Sequence, residues 1–362
     1  MRDYIGIGLS DDIKESVEQA TDGLMHPKVI FVFAEYSKFE EAICLMQEKY
    51  PNTPIVGTTG YCFANKNIIR NNIVIWAINE GIDVEVGVLE NISKFPIKDI
   101  KSLEENIGKI NAGNDNTVCI EFCTGAEEKI VSTINSAISK KNIPLIGGTS
   151  QGANDKGIKC VSLNGKVYLD TCVYALIKNL NGKIKTYSEN IYKEKSGNFI
   201  ATKVDVQNRR ILELNGKKAG QVYCETLGIT KNQINDCVLT NPLARVIGKE
   251  DFVIAIKLVD DEDSLNCYKR VNQNDVLNIL ELQNYKKAIQ NTLDRIKADF
   301  ANISFIFSID CIYRFLLFES MNFTKEYCNI MGSIGQHIGI VGEGEQYINQ
   351  HVNQTMICVV FE

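Results

Sequence analysis

One unit, a short apolar strand that runs into a glycine-bearing turn, recurs along the chain and constrains its fold more than any other feature. It occurs at Pro54-Ile55-Val56-Gly57-Thr58-Thr59-Gly60, at Pro144-Leu145-Ile146-Gly147-Gly148-Thr149-Ser150 and at Ile338-Gly339-Ile340-Val341-Gly342-Glu343-Gly344-Glu345. The first two copies extend further. Residues 118–122 match 29–33, Glu127-Glu128-Lys129-Ile130 match Glu40-Glu41-Ala42-Ile43, and 144–150 match 54–60, at offsets of 89, 87 and 90. Residues 173–176 then answer 75–78, after an added hairpin at Leu163-Asn164-Gly165-Lys166-Val167, where Asn-Gly favours a tight turn. An internal duplication of about 28–91 and 117–190 follows.

Within each copy the periodicity changes from strand to helix. Residues 28–34 are an unbroken apolar run ended by Glu35, the pattern of a strand covered on both faces. Phe39, Ala42, Ile43, Met46 and Tyr50 then recur at helical spacing. Glu80-Gly81-Ile82-Asp83 separates two strands as a hairpin would, and 186–197 reads as a bridge between domains. The clearest helix is 284–300, with Tyr285, Ala288, Ile289, Leu293, Ile296 and Phe300 on one stripe. A third buried strand at 303–309 and a helix at about 318–331 come after it. The expected class is α/β, with mixed sheets built from duplicated strand–helix–strand units, added antiparallel hairpins and helices outside. A chain of 362 residues is long enough for two closely packed domains, placed at 1–220 and 221–362.

Composition removes several function classes. A net charge of −6 argues against a nucleic-acid surface, which needs a concentrated excess of Lys and Arg. The apolar stretch at 305–318 is broken by Asp310 and Arg314 and is too short to cross a bilayer, and the first residues read as a strand and not as a leader. A cytoplasmic protein is expected. Its 12 cysteines are scattered through apolar runs with no Cys-x-x-Cys pair, which fits reduced, buried thiols better than a zinc or redox motif.

Glycine at the end of a buried strand lets backbone amides approach a ligand, and the hydroxyls of Thr58, Thr59, Thr149 and Ser150 stand ready beside Gly147 and Gly148. No Gly-x-x-x-x-Gly-Lys-Ser/Thr loop is present. Arg314 interrupts an apolar stretch and needs a carboxylate, either Glu343 or Glu345 of the protein or one carried by a ligand. The two glutamates, with Gly344 between them, could in turn hold an ammonium group. His337 and His351 with those glutamates form a metal alternative without a recognisable spacing. Nucleophilic chemistry would need Ser150 or Cys311 beside one of only three histidines.

Taken in order, Pro-Ile-Val-Gly-Thr-Thr-Gly, Pro-Leu-Ile-Gly-Gly-Thr-Ser, Leu163-Asn164-Gly165-Lys166-Val167, Leu214-Asn215-Gly216-Lys217-Lys218-Ala219, Cys311-x-x-Arg314 and Gly344-Glu345 resemble the FIST family, named for F-box and intracellular signal-transduction proteins. The likeness covers nearly the whole chain, with an N-terminal region over about 28–220 and a C-terminal one over about 221–361. It implies an intracellular sensory module that binds a small ligand, an amino acid or another carboxylate metabolite. It also implies a signalling output protein or domain as partner: a bacterial chemoreceptor, a histidine kinase or a cyclic-dinucleotide enzyme. No output domain follows Glu362, so the resemblance implies a separate partner or a longer receptor. The expected ligand-binding set is Thr58, Thr59, Gly147, Gly148, Thr149, Ser150, Cys311, Arg314, Glu343, Gly344 and Glu345. No catalytic residue, metal ligand or cofactor is assigned, and neither nucleic acid nor membrane insertion is expected. A protein-interaction scaffold without a ligand, and an enzyme using Cys311 or the paired glutamates, are the alternatives.

Overall fold

The computed structural model describes residues 1–113, 115–152 and 157–362. The chain is α/β, and its unit occurs three times. The first repeat runs β1 (Arg2–Gly8), α1 (Ile13–Ala20), β2 (Val29–Ala34), α2 (Tyr36–Lys49), β3 (Ile55–Thr59), the hairpin β4 (Cys62–Ala64) and β5 (Asn67–Ile69), then β6 (Ile73–Glu80). The second runs β7 (Ile82–Glu90), α3 (Ile100–Lys109), β8 (Thr117–Cys123), α4 (Glu127–Ile138), β9 (Leu145–Thr149), the hairpin β10 (Val161–Leu163) and β11 (Lys166–Tyr168), then β12 (Thr171–Asn179). The third opens with β13 (Ile184–Glu189) and is at once interrupted by an insert. This holds β14 (Tyr192–Asp205), β15 (Arg210–Leu214), β16 (Lys217–Lys218), α5 (Ala219–Leu227), α6 (Ile234–Cys237), β17 (Leu243–Ile247), β18 (Glu250–Ile254), β19 (Ile256–Val259), β20 (Leu265–Cys267) and β21 (Val276–Leu282). The repeat then resumes with α7 (Tyr285–Asp299), β22 (Phe305–Cys311), α8 (Ile312–Ser320), α9 (Thr324–Met331), β23 (Gln336–Gly342), the hairpin β24 (Glu345–Tyr347) and β25 (Gln350–Val352), and β26 (Met356–Phe361).

Each repeat builds a six-stranded sheet around one parallel pair, but no sheet is made by one repeat alone. The orders are β1-β6-β2-β3-β10-β11, β7-β12-β8-β9-β24-β25 and β13-β26-β22-β23-β4-β5. Every hairpin therefore leaves its own repeat: the first lends β4–β5 to the third, the second lends β10–β11 to the first, and the third lends β24–β25 to the second. The insert forms a separate eight-stranded sheet with its own core.

Burial on both faces explains the unbroken apolar runs. One set of alternate residues, Val29, Phe31 and Phe33 with Val118, Ile120, Phe122, Phe305, Phe307 and Ile309, points into a shared centre. The other set faces the helices: Ile30 and Val32 meet Val17, Phe39 and Ile43, while Ile306 meets Leu293 and Phe315. At the centre Trp76 lies flat between Phe31 and Phe307, with ring centroids at 4.7 and 4.8 Å. Among the described residues no helix is long and apolar enough to cross a membrane.

Three local expectations change. Glu80-Gly81-Ile82-Asp83 is not a hairpin, because β6 and β7 pair in different sheets and the chain crosses from one repeat to the next there. Segment 186–197 is not a bridge but carries most of β13 and the start of β14. The helix expected at 318–331 is split into α8 and α9, with Asn322 between them at a φ of 53°. By contrast Asn164 and Gly165, with φ of 49° and 81°, make the expected tight turn between β10 and β11.

Phe307 sits where all three repeats meet and is fully buried. Phe307→Ala is expected to lower the free energy of urea unfolding by about 3–5 kcal/mol. Leu169→Ala, at a side chain 62% exposed, should change it by less than about 0.5 kcal/mol.

Candidate functional site

The third repeat presents its polar groups at the carboxyl end of the parallel pair β22/β23, the end at which open α/β sheets build sites. β22 ends at Cys311, whose extended backbone caps α8, so the first amides of that helix have no helical acceptor. β23 ends at Gly342, and Glu343-Gly344 turns the chain into β24, which pairs with β9: Glu345 lies opposite Gly148 and Gln346 opposite Gly147. The Glu343 amide donates to the Thr149 carbonyl (2.8 Å), and the Thr149 amide to that of Gly344 (3.0 Å). Two stretches nearly 200 residues apart in sequence, 147–149 and 343–345, thus become neighbours.

The glycines here make room. Gly344 has a φ of 145°, and a Cβ on it would lie 2.7 Å from His351 Nε2. A Cβ on Gly147 would come within 2.1 Å of the Glu121 carboxyl, which occupies that space.

Two clefts meet at Glu343. One is a cavity of 240 Å³ lined by Cys311, Ile312 and Tyr313 at the start of α8, by Glu343 and Asn353, and by Ala255 and Tyr268 of the insert. Tyr313 Oη is 3.4 Å from Tyr268 Oη, and the Ala255 amide reaches Asn353 Oδ1 (3.3 Å). The other, of 360 Å³, lies between the first and third repeats and is bordered by the start of α2, by Thr59, Gly60 and Tyr61, and by Gln151 and Gly152. One Glu343 oxygen accepts the Gly152 amide (3.0 Å), and the other pairs with Lys159 (2.7 Å).

Behind the smaller cavity Glu345 is fully buried. Its Oε2 accepts the Thr355 hydroxyl (2.7 Å) and amide (3.3 Å), while Oε1 has no partner among the described residues. Burial lifts this carboxyl to about 8. Burial, with Glu345 beside it, also pushes the Cys311 thiol far up, so the cavity holds a protonated thiol and not an activated nucleophile. Glu121, buried against Cys172 (3.2 Å), is likewise raised to about 8.

Arg314 lines neither cleft. Its partners are Glu189 and Asp310 (3.1 Å), not Glu343 or Glu345, and its guanidinium also lies over the Phe318 ring at 4.7 Å. Burial raises Asp310 to about 6 even against that charge. Thr58 is enclosed within its sheet, Thr59 donates to the Gln151 carbonyl (2.6 Å), and the Ser150 hydroxyl donates to that of Cys123 (3.2 Å). His337 sits apart against Ser308 (2.9 Å), and burial lowers it to about 4.

Sequence reasoning missed Tyr268, Tyr313 and Asn353, which belong to no motif. It also missed a polar cluster where the insert meets α4 and β25. Glu127, Glu128 and His351 each offer a ligand atom within 4.8 Å of the others, a geometry that could hold a metal. Arg209 of the insert already supplies a cation there, at 2.7 Å from Glu127 and 3.1 Å from Glu128. The detectable signal was the Glu127-Glu128 pair, which the repeat aligns with Glu40-Glu41.

Two outcomes follow from the buried charges. Arg314→Ala leaves two buried carboxylates without their cation and should cost about 3–5 kcal/mol in urea unfolding. Glu121 and Glu345 stay protonated to about 8 when folded but ionise near 4.5 when unfolded. The folded chain therefore binds more protons between those values, and stability falls as pH rises through that window, by up to about 1.4 kcal/mol per pH unit for each group. Glu345→Gln should flatten part of this slope when unfolding is measured from about pH 5 to about pH 8.

Comparison with known proteins supplies the family. Among solved structures a chorismatase crystal structure aligns over 99% of this chain and 98% of its own, at 8% identity and a TM-score of 0.33. So loose a superposition bears on neither site nor chemistry. A search of curated proteins returns no significant match. The FIST N domain model matches residues 28–217 and the FIST C domain model residues 219–347. Together these two matches span nearly the whole chain, which therefore belongs to the FIST family.

Proposed function

We propose that this chain is a sensory module that binds a small amphoteric metabolite, an amino acid being the simplest, in the cavity at the start of α8. FIST domains are associated with sensing and signal transduction. The observation that carries the finer reading is that one cavity is bordered both by the N-terminus of a helix, whose first amides have no helical acceptor, and by the Glu343 carboxylate. Amides at a helix start favour an anion, so they would take the ligand carboxylate. Glu343 would take its ammonium group, and Tyr268, Tyr313 and Asn353 offer further hydrogen bonds.

Volume favours a small ligand. At 240 Å³ the cavity is below the roughly 300–1,000 Å³ typical of drug-sized sites. In this reading Arg314 positions α8 through Glu189 and Asp310 and does not touch the ligand. Tyr268 and Ala255 make the insert one wall, so occupancy would be felt by the insert as well as the repeats, and a signalling output protein or domain would read the result.

The test is a thermal-shift screen against amino acids and small organic acids. A ligand at about 100 times its dissociation constant adds roughly 2.7 kcal/mol, a rise of several degrees. Glu343→Gln should abolish the shift for amino acids while sparing organic acids that lack the ammonium group. No shift with any such compound, in protein shown to be folded and free of bound metabolite, would sink the reading in favour of an interaction scaffold.

A further inference from the structure

A third cleft, of 480 Å³, opens between α4 of the second repeat and the insert, away from the cavity at α8. Its walls carry Arg245, Arg270 and Asn272 from the insert and Lys129, Ser132 and Thr133 from α4, with the Glu128 carboxylate at one edge. The Arg270 guanidinium comes no nearer to a carboxylate than 3.9 Å, at Glu128, and no hydrogen bond from it to a protein group is found among the described residues. Arg245 commits one terminal nitrogen to Asp275 (2.7 Å) and to the Arg270 carbonyl (2.5 Å). Lys129 also reaches the Ser93 carbonyl.

Directly behind this wall is Lys269, 1% exposed, whose ammonium has no hydrogen-bond partner among the described residues. Its ammonium stands over the face of Phe252, 5.6 Å from the ring centroid. The neighbourhood is thus over-supplied with positive charge. Lys129, Arg209, Arg245, Lys269 and Arg270 gather here around Glu127, Glu128 and Asp275. Cationic groups gathered around a cleft, next to a buried amine without a hydrogen-bond partner, favour an anion there.

We propose that this cleft is a second ligand site, built for a phosphate group that is either free or carried by a small molecule. A guanidinium without a hydrogen-bond partner, a second guanidinium with donors to spare, the Thr133 hydroxyl and the Asn272 amide are a donor set suited to a tetrahedral oxyanion with several acceptor oxygens, while the Ser132 hydroxyl is committed to the Glu128 carbonyl (2.8 Å). Burial and the neighbouring Arg245 lower Lys269 to about 7. An anion in front of it reverses part of that effect, so binding near neutral pH should draw a proton onto the protein.

Isothermal titration of the full chain with inorganic phosphate tests this. Binding with a dissociation constant below about 1 mM is expected. Both Arg270→Gln and Ser132→Glu should weaken it by at least about tenfold. Ser132 is an exposed residue of α4, so the second variant decides the matter if the first fails to fold. Titration in two buffers of different ionisation enthalpy should show proton uptake in the parent chain and none in Lys269→Met. Competition by glycerol phosphate would identify a phosphate ester as the occupant, and its failure to compete would identify free phosphate. Absence of phosphate binding, or binding that survives both substitutions, would overturn the proposal.

Discussion

The stacking of Trp76 between Phe31 and Phe307 is the contact on which the rest of this molecule depends. It joins the first repeat to the third, and Phe122 of the second closes on both through edge-to-face contacts. Because the inner faces of β2, β8 and β22 are consumed at this centre, their outer faces must be covered by helices. That in turn aims the carboxyl end of each parallel pair at a seam between units. The polar clefts lie along such seams. The fold has placed its apolar surface first, and the sites occupy what is left over between the pieces.

Much of this architecture was legible in the sequence, because burial on both faces writes an unbroken apolar run and a helix on a sheet writes a stripe. Residues 28–34 and 117–123 carry that signal plainly, and the Asn-Gly dipeptides announce turns in which both residues have a positive φ. The third repeat was harder to recognise as a whole, since the insert separates β13 from α7 by nearly a hundred residues. Where each hairpin would dock was not legible at all. A three-residue strand such as 62–64 shows which faces are apolar but not whose sheet will accept its backbone.

The candidate sites were half-readable for the same reason. Glycine turns and Glu343 stood out because they break a local pattern, whereas Tyr268 and Asn353 are unremarkable until the insert folds against the third repeat. Arg314 drew attention for a sound reason, a charge in an apolar stretch. Its main partner is Glu189, 125 positions away on an edge strand whose sequence reads as a bridge between domains. The short segment from Tyr268 to Asn272 touches both the cavity at α8 and the cationic cleft beside α4, with the Arg270 amide anchored on Glu128 (2.9 Å) between them. Events at one cleft therefore have a covalent route of two peptide bonds, from Tyr268 to Arg270, to the other.

The circular lending of hairpins has a further consequence. Three identical chains that each donated a hairpin to the next would close as a ring with threefold symmetry, and symmetry would force every seam to be the same. Here a single polypeptide performs the same closure, so that obligation is lifted. The cleft at α8 carries a thiol, tyrosines and a carboxylate, the one at α4 carries arginines, both with the insert of the third repeat as a wall, and the one at α2 carries Glu35 and Ser37. Covalent continuity keeps the ring closed while each seam is free to acquire its own chemistry.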